Sequence, residues 1–209
     1  MKYKTALILL GFFIYSTILV AAESDPSKIF TDVIEKYKSM KTYEAEGKIT
    51  TEMDTEGRKS NIETTFSIKL KKPSLYLISW SQKMTPFFSQ SGSLWNEGTQ
   101  PYLYMGAANS YCKMNDDKTA IGSATGISVG AAFTIPSLFL SVFPDQSNQF
   151  SRLKKPEIKK IENIEGEDCY VISGNSDISK EETFWISKER KMIIKYVRSS
   201  VIFAVCHRD

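Results

Sequence analysis

The sequence predicts an α+β fold that is mainly β, an antiparallel meander with two apolar-faced helices laid against it. Three observations lead there. From Glu44 onward apolar and polar residues alternate with a period of two over long stretches. The stretches between those runs are too short to hold crossover helices, which forces antiparallel neighbours. Strong helical periodicity is confined to the residues after Asp25 and to those after Pro136. Composition agrees: 209 residues with 42% hydrophobic and 24% charged residues fit one globular domain and exclude collagen-like and disordered chains.

The first 22 residues read as a secretory signal peptide. Lys2 and Lys4 precede an apolar run over 6–20 (ALILLGFFIYSTILV), and Val20-Ala21-Ala22 supplies the small residues a signal peptidase reads. Fifteen helical residues reach roughly 22 Å, short of the roughly 30 Å of a bilayer's hydrocarbon core. Cleavage is expected after Ala22, and no cysteine follows to take a lipid. The exported body is then read as one domain over 23–198 with a divergent or truncated tail over 199–209. Its formal charge is +3 overall and +1 without the segment bearing Lys2 and Lys4, which gives no bulk-charge argument for nucleic acid.

Along the body, Asp25 and Pro26 open a helix as cap and first residue. Ile29, Phe30, Val33, Ile34, Tyr37 and Met40 follow on one face. Strands are expected over 45–53 and 62–70, joined by a turn at 55–58, with Phe66 and Ile68 on the apolar side of the second. The segment 74–81 (SLYLISWS) reads as apolar on both faces. Shorter runs follow over 87–90, 93–96, 102–105 and 110–114. Residues 115–132, with Gly122, Gly126 and Gly130 among Ala, Ser and Thr, read as a mobile loop. Gly-x-x-x-Gly spacing suits membrane helix pairs, but this segment is too polar and short for that. Pro136 starts an apolar helix carrying Leu138, Phe139, Val142 and Phe143. Strands return over 157–164, 169–173, 183–187 and 192–197, and 201–209 is ambiguous.

No catalytic constellation stands out. A single histidine, His207, argues against a His-based zinc site or a Ser-His-Asp triad, and no metal or cofactor is expected. The pairs Asp116-Asp117 and Glu181-Glu182 read as solvated turns. Cys112 and Cys169 read either as buried small hydrophobes or as halves of a disulfide, and the pairing among Cys112, Cys169 and Cys206 is open. The aromatic load of the meander is the unusual feature. Phe66, Tyr76, Trp80, Trp95, Tyr102, Tyr104 and Tyr111 fall in one stretch. They are either an ordinary core or the lining of a partly filled concave face.

Taken in order, DVIEKYKSMKTYEAEGKIT, KLKKPSLYLISW, SGSLWNEGTQPYLYMGAANSYCKM, IEGEDCYVISG and ETFWISKERKMIIKY resemble the LolA/LolB-like lipoprotein-carrier superfamily. The likeness is nearest to its secreted outer-membrane lipoprotein-sorting branch and spans most of 32–196. It implies an incomplete antiparallel β-barrel, a strongly curved sheet with helices covering its concave face. It also implies a non-catalytic periplasmic monomer that carries lipids or lipoprotein acyl chains, with transient partners at the inner or outer membrane. The candidate cleft residues are Phe66, Ile68, Tyr76, Ile78, Trp80, Tyr102, Tyr104, Leu138, Phe139 and Val142. The glycine-rich loop and the Pro136 helix form the candidate lid. No lid-latch arginine can be placed. A second reading keeps the fold without lipid cargo, as an envelope module that binds proteins or senses stress.

Overall fold

The computed structural model describes residues 25–55, 58–85, 88–143, 148–177, 179–198 and 201–207. The expected signal peptide lies outside the described residues. Eleven strands form one antiparallel sheet. The first six are β1 (Thr42–Thr55), β2 (Arg58–Lys71), β3 (Leu75–Thr85), β4 (Phe88–Asn96), β5 (Pro101–Met105) and β6 (Ser110–Lys113). The rest are β7 (Lys154–Ile164), β8 (Glu167–Ser176), β9 (Ser179–Ser187), β10 (Ile193–Arg198) and β11 (Val201–His207). Their order is β6-β5-β4-β3-β2-β1-β11-β10-β9-β8-β7, so β6 and β7 are the edges and the sheet stays an open, curved one.

Period-two patterning fixes which face is buried. Ile68, Ile78, Leu94 and Leu103 stand opposite one another in successive strands and are at most 5% exposed. Phe66 lies opposite Trp80, and Leu70 opposite Tyr76, on the same face. The alternate row, Lys69, Leu77, Trp95 and Tyr102, belongs to the outer face. The segment read as apolar on both faces is therefore buried on one only, and Leu77 is 42% exposed.

The runs expected over 87–90 and 93–96 are not separate: residues 88–96 form the single strand β4, and residue 87 lies outside the described residues. The small residues around Gly92 are not a break. They leave room for the Trp80 indole, because a Cβ at Gly92 would sit 2.3 Å from Trp80 Cζ2. The ambiguous end of the chain also resolves. Residues 201–207, expected as part of a tail, form β11 and pair with β1 on one side and β10 on the other. A continuous apolar run such as VIFAV lacks the alternation that identifies a half-buried strand, which is why its pairing is not readable locally.

Helix α1 (Pro26–Ser39) starts as its sequence predicts, with Asp25 accepting a hydrogen bond from the Ser27 N–H at 2.9 Å. It buries Ile29, Phe30, Val33 and Tyr37. Phe30 stacks on Phe150 with ring centroids 4.4 Å apart and meets Phe184 of β9 edge-on. The Tyr37 hydroxyl accepts from the Ile193 N–H of β10. Thus α1 covers the β9–β10 side of the sheet.

The segment 115–132 is not a loop. It holds helix α2 (Asp117–Ile127), started by Asp116, which accepts from the N–H and hydroxyl of Thr119 at 2.7 and 3.0 Å. Capping by an aspartate three residues ahead of its donor offsets part of the weak helix propensity of two internal glycines, and contacts to the sheet supply the rest. Turns at 128–135 lead into α3 (Pro136–Phe139), a single turn that ends before Val142. Leu138 and Phe139 are buried, and Val142 is half-buried against the core.

Gly92→Ala should destabilise the protein by about 1–3 kcal/mol, the usual cost of overpacking a filled core. Urea denaturation measures it, and an unchanged midpoint would show that the Trp80 ring does not occupy that space.

Candidate functional site: a cleft between α2 and β10

The two faces of α2 do different things. Ala120, Ile121 and Ala124 are buried. Gly122 and Gly126 lie on the exposed side, and a Cβ built on either would meet no atom within 4 Å. Of the three glycines in this segment, Gly130 alone has a backbone that needs glycine, with φ +95°. A glycine inside a helix costs roughly 1 kcal/mol relative to alanine. Neither backbone strain nor close packing calls for glycine at 122 or 126.

That open side faces a cleft of about 460 Å3. Gly122, Thr125, Gly126, Val129, Gly130, Phe133 and Thr134 line one wall, and Gln149, Arg152, Tyr196 and Arg198 line the other. The β10 wall rests on aromatic packing, since Tyr196 stacks on Phe184 at 4.5 Å. The Tyr196 hydroxyl accepts from Gln149 Nε2 at 2.6 Å and donates to Glu182. The Ser176 hydroxyl donates to the other Glu182 oxygen. Burial first, and the Glu182 carboxylate second, push the Tyr196 pKa well above the ordinary phenol value, so it remains a neutral donor. Arg198 stands opposite Glu182 in the β9–β10 register, and the Arg152 guanidinium lies 5.6 Å from the Phe133 ring centroid.

Helix α2 is pinned at both ends. Asp117 accepts from the Tyr76 hydroxyl at 2.8 Å and from Asn96 Nδ2 at 2.7 Å. Gln82 Nε2 donates to the Ile127 carbonyl at 2.9 Å. The acidic pairs read as solvated turns thus separate. Asp116 and Asp117 organise the start of α2, while Glu181 is exposed and Glu182 is only 2% exposed. Adjacent strand residues point to opposite faces, and Glu182 takes the inner one.

The ten residues expected to line a cleft are placed as follows. Phe66, Ile68, Tyr76, Ile78, Trp80, Leu138 and Phe139 are packed in the core, each at most 4% exposed. Tyr102 and Tyr104 lie on the outer face, where Tyr102 stacks on Trp95 at 5.5 Å beside the 68% exposed Tyr111. None of the ten, Val142 included, lines the α2–β10 cleft. Sequence reasoning missed Gln149, Arg152, Tyr196 and Arg198, which carry no local motif. It named Gly122 and Gly126 without the helix that aligns them, though Asp116-x-x-Thr119 is a capping signal that was there to be read.

Cys112 and Cys169 are both free, the first exposed and the second buried. Burial pushes the Cys169 thiol up to about 11. Among the described residues no group of three His, Cys, Asp or Glu side chains could hold a metal ion, and no helix is long and apolar enough to cross a membrane.

An open, curved antiparallel sheet wrapped around helices defines the LolA-like class of folds. Within it, the chain belongs to the family of predicted periplasmic proteins designated DUF2092, whose model matches residues 27–201. Among solved structures it is similar to LprF from Mycobacterium bovis, at 10% identity and a TM-score of 0.51 over 88% of this chain and 93% of that one. It is also similar to the lipoprotein LppX from Mycobacterium tuberculosis, at 12% identity and a TM-score of 0.49 over 88% and 95%. A third is the LolA superfamily protein NE2245 from Nitrosomonas europaea, at 10% identity and a TM-score of 0.30 over 88% and 91%. No curated protein matches the sequence.

Asp117→Ala removes the acceptor of two buried-side donors and should cost about 1–3 kcal/mol. Amide exchange should accelerate across α2 while β8–β10 stay protected, and uniform exchange along the chain would show that the pin is not local. In a Cys206→Ser background at pH 8, only about one Cys169 in a thousand is thiolate. Thiol titration should therefore label Cys112 at once and Cys169 only on unfolding. Equal rates would refute the burial.

Proposed function

We propose that this protein is a non-catalytic periplasmic carrier that shelters the acyl chain of a lipid or lipoprotein in the cleft between α2 and β10. The observation that carries the reading is the face of α2 where Gly122 and Gly126 leave open space beside Thr125, bordering a cleft of about 460 Å3. That volume falls within the roughly 300–1,000 Å3 of ordinary small-ligand sites. Hiding an acyl chain from water is worth roughly 0.8 kcal/mol for each methylene that is buried, before the costs of ordering it.

Glycine at 122 and 126 fits this reading. The helix gives up propensity, and in return a hydrocarbon can lie along its backbone. Phe66, Ile68, Tyr76, Ile78, Trp80, Leu138 and Phe139 form the apolar interior, and movement of α2 away from its pins would join that interior to the cleft. In this reading α2, and not a loop, is the lid. The family's description as periplasmic fits a carrier that works in the envelope.

Gly126→Leu separates the reading from a purely structural one. The variant should be as stable as the parent or slightly more so, because leucine is the better helix former by up to about 1 kcal/mol. Its affinity for a fluorescent fatty acid should fall at least about tenfold, since the new side chain enters the cleft. Unchanged affinity would remove the cleft from consideration, and native mass spectrometry with no lipid bound under any condition would remove the carrier function.

A further inference from the structure

We infer that the cleft selects amphiphiles whose head is an anion, a carboxylate or a phosphate monoester, bound by Arg152 and Arg198. This rests on the carrier reading of the same cleft. Most polar groups lining it are engaged within the protein. The Thr125 hydroxyl donates to the Ile121 carbonyl at 2.7 Å and the Thr134 hydroxyl to Gly130 at 3.3 Å, each one turn back along its own segment. Gln149 Nε2 donates to Tyr196, and Tyr196 donates onward to Glu182. Gln149 keeps a second, neutral amide N–H, and the charged donors of the lining are the two guanidinium groups.

The charge balance points the same way. Glu182 is the acid that faces this wall, and its two oxygens accept hydroxyl donations from Tyr196 and Ser176. Among the described residues no ion pair involves Arg152 or Arg198. Two arginines against one buried carboxylate leave the cleft net positive. Arg152 packs on the Phe133 ring, and an arginine in that position still has five N–H donors to offer. Arg152 is exposed and Arg198 half-buried, whereas Tyr196 and Gln149 are buried. A chain entering along Gly122, Gly126 and Val129 would thus keep its head at the wet end, beside planar donors that match carboxylate and phosphate oxygens.

The test is displacement of the neutral probe N-phenyl-1-naphthylamine by four ligands: hexadecanoate, hexadecyl phosphate, 1-monopalmitoylglycerol and inorganic phosphate. The two anionic amphiphiles should bind at least about tenfold more tightly than the neutral one at about 50 mM salt, and the gap should narrow at about 500 mM. Inorganic phosphate should not displace the probe. Arg152→Gln with Arg198→Gln should abolish the preference and keep binding of the neutral lipid, while Arg152→Lys with Arg198→Lys should leave a reduced preference, because an ammonium keeps the charge and lacks the planar fork. Equal affinity for charged and neutral heads in the unmodified protein overturns this inference and leaves the carrier reading standing. Displacement by inorganic phosphate at the concentration that suffices for hexadecyl phosphate overturns it as well, because the site would then be an anion site without a chain. Failure of every amphiphile to compete removes both.

Discussion

A sheet that is apolar on one face must hide that face, and everything else in this protein follows from how incompletely it can do so. Eleven antiparallel strands make a wide curved surface. Among the described residues two substantial helices cover it, α1 over the β9–β10 side and α2 over the β3–β5 side. Where each meets the sheet, packing is dense: Val33, Tyr37, Ile68, Ile78, Ile121 and Phe184 are all fully enclosed. Between α2 and β10 neither helix reaches, and the cleft lies there.

The cleft persists because its walls are held from behind. On one side, Asp117 and Gln82 tie the ends of α2 to the sheet, so the helix cannot settle into the gap. On the other, the chain of hydrogen bonds from Gln149 through Tyr196 to Glu182 fixes the β10 surface. A buried carboxylate satisfied by hydroxyl donors is costly unless all its partners are in place, which makes that wall rigid. The glycines of α2 then leave the gap unfilled. A vacant strip between two walls so held suits a ligand that contributes area and little directional bonding, which is the description of a hydrocarbon chain.

Legibility in the sequence divided along physical lines. The first helix was readable because Asp25 and Pro26 mark its start and its apolar residues recur at helical spacing. The hairpins of the meander were readable from alternation. The α2 helix was not, because two glycines and several Ser and Thr residues lower its propensity, and the stabilising contacts come from Tyr76, Asn96 and Gln82, at least 20 residues away in the chain. Tyr102 and Tyr104 were assigned to the inner face by their aromatic character, while their neighbour Leu103 is the residue that turns inward. One residue of register reverses every side chain of a strand.

The chain's local pattern carried the class of the fold, the position of the first helix and the antiparallel hairpins. These depend on contacts between near neighbours, or on a periodicity that local residues carry in full. Tertiary structure alone decided that the last strand joins the two halves of the sheet, that Glu182 is buried while Glu181 is not, and that Gly122, Gly126, Tyr196 and Arg198 border one space. Those facts depend on residues as far apart in the chain as Ala45 and His207 being brought face to face, and an open gap has no pattern of its own in the chain that surrounds it.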